Sequence, residues 1–134
     1  MQWLVNLDVP DLAAAEALYV AAFGLHAGRR FGTDGVELLG GSAPLYLLVK
    51  SAGRDAAGGA RRAYTRHWMP CHLDVVVENL DTALARAEAA GLIREGGIRT
   101  ADWGRIVQLA DPFGHGWCLL EFSARGYDAI ATAG

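Results

Sequence analysis

The sequence has few cysteines, no long apolar run and no excess of positive charge. Its two cysteines, Cys71 and Cys118, are too few for a disulfide framework, so we expect a reducing, cytoplasmic setting in which both are small buried residues. No apolar run approaches the ~20 residues that span a bilayer and no signal peptide is visible, so no membrane partner is expected. The formal net charge of −3 argues against a nucleic-acid partner, which would need a basic face.

Several motifs of established chemistry are also missing. The sequence has no phosphate-binding Gly-x-x-x-x-Gly-Lys loop, no Gly-x-Ser-x-Gly turn and no paired-cysteine zinc spacing. The arginine pairs 29–30 and 61–62 are interpreted as solvated surface.

What the sequence does contain is an internal repeat. Residues 4–11 (LVNLDVPD) precede an alanine-rich segment that ends at Gly24, and residues 72–79 (HLDVVVEN) precede another that ends at Gly91. An apolar alternating run, an Asp or Asn helix cap and a terminal glycine therefore recur in the same order. Because only two copies exist, a closed pseudo-twofold pair is favoured over a solenoid.

Local patterns predict two helices and eight strands. The helices are expected at 13–23 and 80–90, where apolar residues recur at three-and-four spacing. The stretch 51–63, rich in Gly, Ala and Arg, is interpreted as a mobile connector. Strands are predicted at 3–9, 27–31, 36–39, 45–49, 71–77, 92–94, 105–109 and 117–122, with a bend at Gly96-Gly97.

The turn sequence at residues 111–117 (DPFGHGW), together with 9–11 (VPD) leading to 23–25 (FGL), resembles the vicinal oxygen chelate superfamily. That superfamily includes glyoxalase I, extradiol dioxygenases and bleomycin resistance proteins. The resemblance implies an α+β fold in which two βαβββ modules form a pseudo-twofold, curled mixed-sheet cup. It also implies a homodimer, and a single domain over 1–134 with modules 1–50 and 67–134 joined by a linker, 51–66. Whether the modules pair within one chain or across a dimer stays open.

The resemblance further implies four metal-ligand positions, which fall here on Leu4, Tyr46, His72 and Cys118. Only His72 is a usual ligand, so this set would not hold an oxygen-preferring divalent metal. The leading prediction is therefore a small-molecule-binding, glyoxalase- or bleomycin-resistance-like protein without a metal cofactor.

Two alternatives remain open. A bulge could substitute Asn6 or Asp8 for Leu4, and a one-residue slip could turn Glu121 inward, because such a slip exchanges the two faces of a strand. His72 and Glu121 would then hold a divalent metal in a lyase, isomerase or dioxygenase. The third possibility is a non-catalytic dimerisation or regulatory module.

Strand alternation also predicts the ligand-binding residues. Side chains at 6 and 8 share one face, as do those at 72 and 74, and each set is expected to face the cup. The carboxylates of Asp8 and Asp74 should pair with Arg66 or Arg105, receive a cationic or hydroxylated ligand, or hold the two halves together. His115 is expected to be a surface turn residue. The predicted ligand-binding set, which includes two tryptophans beside turns, is Asn6, Asp8, Tyr46, Trp68, His72, Asp74, Trp103 and Cys118.

Overall fold

The chain folds into two compact units, the first comprising residues 1–65 and the second beginning at Arg66. The structure is a computed structural model that describes residues 1–133. Each unit has its own sheet and one long helix, so the predicted α+β class is confirmed. None of the helices among these residues has the length and apolar character needed to cross a bilayer.

The first unit has the predicted βαβββ order. Its sheet has the strand order β1-β4-β3-β2, with β1 parallel to β4 and the other neighbours antiparallel. The parallel pair requires a crossover, which the helix provides. The elements are β1 (Val5–Val9), α1 (Leu12–Phe23), β2 (His26–Phe31), β3 (Gly35–Leu39) and β4 (Leu45–Val49).

Helix α1 begins and ends where its capping residues predict. The Asp11 carboxylate accepts a hydrogen bond from the Ala14 amide at 3.0 Å, and Gly24 takes the left-handed conformation with φ 68°. The helix buries one stripe that includes Leu18 and Tyr19. On the adjoining sheet, alternate residues of β1 are buried, which leaves positions 6 and 8 on the other face.

Residues 51–65, most of which were predicted to be a mobile connector, are held to the first unit by hydrogen bonds. Gly53 and Arg54 exchange backbone hydrogen bonds with Arg62, both at 2.8 Å, which closes a small hairpin around a 3₁₀ turn at Ala57–Gly59. The Tyr64 hydroxyl then donates to the Lys50 carbonyl at 2.6 Å. This segment therefore brings its side chains against the end of β4.

The second unit repeats the order, with one strand interrupted. Its sheet order is β5-β9-β8-β6, β5 is parallel to β9, and β7 also pairs with β8. The interruption between β6 and β7 falls at the predicted bend, where Gly96 has φ 109°. The elements are β5 (Leu73–Val76), α2 (Leu80–Ala90), β6 (Ile93–Arg94), β7 (Arg99–Ala101), β8 (Gly104–Ala110) and β9 (Gly116–Phe122).

The turn between β8 and β9 is organised around a buried carboxylate. Asp111 accepts hydrogen bonds from the amides of Phe113 and His115, at 2.8 and 3.0 Å, and from the Trp117 indole at 2.9 Å. The His115 ring Nδ1 lies 2.9 Å from the second carboxylate oxygen, and only 12% of its side chain is exposed. The expectation that His115 is a surface turn residue is wrong, because Asp111 draws its ring inward.

Candidate functional site in the second unit

Three side chains that can bind ligands converge on one face of the second sheet. Strand β5 pairs with β9 so that Asp74 lies opposite Cys118, and His72 lies two residues before Asp74 on the same face. The ligand atoms of the three residues all lie within 4.8 Å of one another. The predicted His72, Asp74 and Cys118 are therefore brought together within a single unit.

The three groups are already engaged with each other. The His72 Nε2 atom lies 3.3 Å from the Asp74 carboxylate, and both side chains are partly exposed. Cys118 is buried with 2% exposure. Burial, followed by the charge of Asp74 and a hydrogen bond to its carboxylate, raises the pKa of the Cys118 thiol to about 12, and the charge of Arg99 opposes the rise. At neutral pH the thiol is therefore protonated and donates to Asp74.

An aromatic side chain forms one wall of this cluster. The Trp68 and His72 rings are perpendicular to each other at a centroid distance of 5.6 Å, and the Arg66 guanidinium lies over the Trp68 ring, 4.6 Å from its centroid. Gly116 makes this possible, since a Cβ atom there would lie 2.7 Å from the indole. Trp68 therefore lies against Gly116 at the start of β9, beside His72.

The other predicted tryptophan contacts the buried part of the same face. Trp103 packs against the cluster formed by Ile106, Cys118 and Leu120, and its ring lies 5.7 Å from that of Tyr127. Trp103 therefore lies against the cluster that contains Cys118, whereas Trp68 lies beside His72 and Gly116. Trp68 is 40% exposed and Trp103 is only partly accessible.

Glu121 lies on the opposite face of β9. Its carboxylate accepts a hydrogen bond from the Leu80 amide at the start of α2, at 2.6 Å, and another from Arg105 at 3.0 Å. These two donors lower its pKa. The one-residue slip considered from the sequence is absent. Strand β9 pairs with β5 and with β8 in a continuous register, in which Asp74 lies opposite Cys118. The geometry therefore gives no support to Glu121 as a metal ligand beside His72.

In the first unit, the equivalent pair of positions is Asn6 and Tyr46, which lie opposite each other on β1 and β4. The Tyr46 hydroxyl donates to Glu37 at 2.7 Å and accepts from Arg29 at 2.9 Å. Arg29 also binds both oxygens of Glu37, which is only 4% exposed. Hydrogen bonds from Arg29 and Tyr46 lower the pKa of Glu37 to about 2.

Sequence reasoning missed Glu37, although a single acid within an apolar strand was a usable signal. Its position depends on Gly28, where a Cβ atom would approach the carboxylate to 2.5 Å. Leu4 lies just before β1 and is 51% exposed, and Asn6 is also exposed. Of the predicted residues of this unit, Tyr46 therefore joins the polar network around the buried carboxylate of Glu37.

Asp8 is paired, but not with the predicted partners. Its two carboxylate oxygens bind Lys50 at 2.7 Å and Arg62 at 2.6 Å. The predicted partners are engaged elsewhere, since Arg66 pairs with Glu95, and Arg105 pairs with Asp81 and Glu121. The interpretation of Arg62 as solvated surface is wrong, because its side chain folds back on Asp8.

The two cysteines also differ from each other. Cys118 is buried as predicted, whereas Cys71 is exposed. Cys71 precedes β5 and therefore lies outside the sheet, which explains why the expectation of burial fails for it.

Comparisons with known proteins agree with this fold. Residues 4–120 match the family described as glyoxalase-like domain, so the chain belongs to that family and to the vicinal oxygen chelate superfamily. A sequence comparison with curated proteins finds no match.

Solved structures support the same fold. A glyoxalase-related enzyme from Fulvimarina pelagi has a TM-score of 0.72 and 19% identity, covering 94% of this chain and 96% of that chain. The fosfomycin resistance protein FosX from Listeria monocytogenes has a TM-score of 0.71 and 15% identity, covering 93% and 95%. A FosX mutant, with a TM-score of 0.64, 18% identity and coverage of 91% and 90%, was solved with Mn(II) and 1S,2S-dihydroxypropylphosphonic acid. At these identities the likeness establishes the fold alone.

Proposed function

We propose that this chain is a small-molecule-binding member of the glyoxalase-like family, with its ligand at the His72–Asp74–Cys118 cluster. The observation that carries the proposal is the hydrogen-bonded state of the cluster. Asp74 interacts with both His72 and a protonated Cys118 thiol, so the three groups need no metal to satisfy them. Trp68 adds an exposed aromatic surface, which suits a planar or apolar ligand.

The donor set fits an oxygen-preferring divalent ion poorly. Mn²⁺ and Mg²⁺ prefer carboxylate, carbonyl and water ligands, whereas this cluster offers one imidazole, one carboxylate and one thiol. Binding a metal through Cys118 would also require removal of a proton from a thiol whose pKa is about 12. This mismatch supports binding without such an ion.

The proposal is tested by metal analysis and by substitution. The chain purified without chelator should contain no stoichiometric Mn, Fe, Ni or Zn, and adding Mn²⁺ should leave its melting temperature unchanged, because a ligand of the folded state must raise it. Elemental analysis that finds one tightly held divalent ion per chain would overturn the proposal.

Binding itself is tested with a set of small aromatic probes, such as indole and phenol, followed by melting temperature and Trp fluorescence. Responses should be lost in Trp68→Ala and His72→Ala but kept in His26→Ala, a histidine of the first unit. Equal responses in all three variants would place probe binding elsewhere.

A second candidate, a metal-dependent enzyme of the same superfamily, is favoured by one observation. Three ligand atoms within 4.8 Å suit a tetrahedral Zn²⁺ site with one open position, since Zn²⁺ accepts nitrogen, oxygen and sulfur together. His72, Asp74 and Cys118 would hold the ion, which would supply Lewis-acid chemistry. Zn²⁺ should then raise the melting temperature of the wild type and of Cys71→Ser, but not of Cys118→Ser.

We further propose that the protein is a homodimer. Large apolar side chains are exposed in each unit, among them Trp3 at 76% and Ile93 at 67%, and such groups commonly pack in interfaces. Sedimentation equilibrium should give twice the chain mass, and a monomer at about 100 μM would contradict it. If neither probes nor metals bind while the dimer persists, a dimerisation or regulatory module becomes the better description. A cytoplasmic location stays a prediction.

A further inference from the structure

Two cations share one carboxylate at the end of β1 in the first unit. Lys50 Nζ and an Arg62 terminal nitrogen contact different oxygens of Asp8, at 2.7 and 2.6 Å. All three side chains are partly buried, with 29%, 34% and 17% exposure for Lys50, Arg62 and Asp8. The group therefore carries an excess positive charge in a partly desolvated position.

The neighbouring titratable group Tyr64 does not neutralise this excess. Tyr64 lies close enough for both Asp8 and Arg62 to act on its pKa, which burial raises above its usual value. Its hydroxyl is therefore uncharged at neutral pH and donates to the Lys50 carbonyl. No second carboxylate lies within ion-pair distance of Lys50 or Arg62 among residues 1–133.

Arg62 also has an unused hydrogen-bond donor. Its Nε atom is buried and has no acceptor among the residues that the structure describes. Buried donors are nearly always paired, because leaving one without an acceptor is costly. A guanidinium presents its donors as a planar fork that matches the oxygens of a carboxylate or phosphate.

We propose that Lys50 and Arg62 form an oxyanion-binding site, which takes a carboxylate or phosphoryl group of a small ligand. Asp8 holds the two cations side by side, and the hairpin of residues 51–62 positions Arg62. This differs from one alternative considered from the sequence, in which Asp8 itself would receive a cationic or hydroxylated ligand. The site lies wholly within the first unit and does not depend on the cluster around His72.

The neighbouring arginine provides a matched control. Arg61 lies on the same hairpin, is 79% exposed and makes only a 3.9 Å pair with Asp55. Arg61→Gln and Arg62→Gln therefore remove the same charge from adjacent positions, but only the second removes a group that contacts Asp8. Nonspecific attraction of anions would respond equally to both substitutions.

The experiment titrates the full chain with inorganic phosphate, and separately with acetate, at constant ionic strength, using melting temperature and calorimetry. Wild type and Arg61→Gln should bind with the same affinity, and Arg62→Gln should bind at least about tenfold more weakly. If Arg62→Gln does not fold, Arg62→Lys, which keeps the charge but loses the fork, should still weaken binding. A response to phosphate alone assigns a phosphoryl ligand, and a response to both assigns a carboxylate-tolerant site.

Substitution of Asp8 separates a binding site from a purely structural ion cluster. Asp8→Asn removes the competing internal anion, so affinity for phosphate should rise several-fold even though the chain without phosphate becomes less stable. A structural cluster predicts lower stability with no gain in affinity. Absence of binding at about 50 mM phosphate, or equal losses in Arg61→Gln and Arg62→Gln, would overturn the proposal.

Discussion

Raising the pH above 9 should destabilise the folded chain through Cys118. The thiol of an unfolded chain ionises near pH 9, whereas burial and Asp74 raise the pKa of the folded Cys118 to about 12. Between these values the unfolded state releases a proton that the folded state retains, so unfolding becomes more favourable. The stabilising contribution is complete below pH 9 and is lost as the pH rises toward 12.

The size of this effect follows from the two pKa values. Each pH unit between 9 and 11 should lower the free energy of unfolding by about 1 kcal/mol relative to a chain without this thiol. The comparison uses Cys71→Ser, which leaves Cys118 as the single thiol, and Cys71→Ser combined with Cys118→Val. Urea unfolding followed by Trp fluorescence at pH 8, 9, 10 and 11 gives the difference, and other titrating groups cancel.

Parallel loss of stability in the two variants would refute this reasoning, since it would mean that Cys118 has the same pKa in both states. Thiolate absorbance near 240 nm provides an independent measure of ionisation in the folded protein. Asp74→Asn provides a further test. It removes the carboxylate that is, after burial, the largest cause of the raised pKa of Cys118. In that background Cys118 should ionise at lower pH, and the loss of stability should level off earlier.

Two other predictions concern the buried carboxylates. Asp111→Asn should lower the free energy of unfolding by about 2 to 4 kcal/mol, because an amide nitrogen would replace the oxygen that accepts from the buried Trp117 indole. Urea unfolding of Asp111→Asn, Trp117→Phe and the double variant should show that the two losses of stability are not additive. Glu37→Gln should remove an acid-sensitive contribution, since a carboxyl with pKa about 2 stabilises the fold above pH 4.5 and loses this effect as the pH falls toward 2. Acid unfolding should therefore be steeper in the wild type, and equal profiles would contradict the pairing with Arg29.

The helices and the module order were predictable because their signals are local. Asp11 and Asn79 each bind the amide three residues ahead, and Gly24 and Gly91 end the same helices. These contacts lie within one or two turns, so the short-range sequence is sufficient to specify them. The alternation of apolar and polar residues likewise predicted which face of β1 and which face of β5 carries the polar side chains.

The polar clusters were less predictable because they depend on partners distant in sequence. Asp74 and Cys118 meet only through the β5–β9 register, and Asp8 meets Lys50 and Arg62 only because a hairpin folds back onto β1. Arginine has a long side chain and can reach several acids, so spacing alone does not select its partner. The predicted pairing with Arg66 or Arg105 failed for this reason.

The two units use equivalent strand positions for different chemistry. In the second unit the pair Asp74–Cys118 carries a protonated thiol and a partly exposed carboxylate beside His72. In the first unit, Asn6 lies opposite Tyr46, whose hydroxyl is fully engaged by Glu37 and Arg29. A fully paired network stabilises the sheet but offers few groups to a ligand, whereas the partly exposed His72 and Asp74 keep donors and acceptors available. This asymmetry favours the second unit as the position where an organic ligand is recognised, and it leaves the Asp8–Lys50–Arg62 cluster as the charged group of the first unit best suited to an anion.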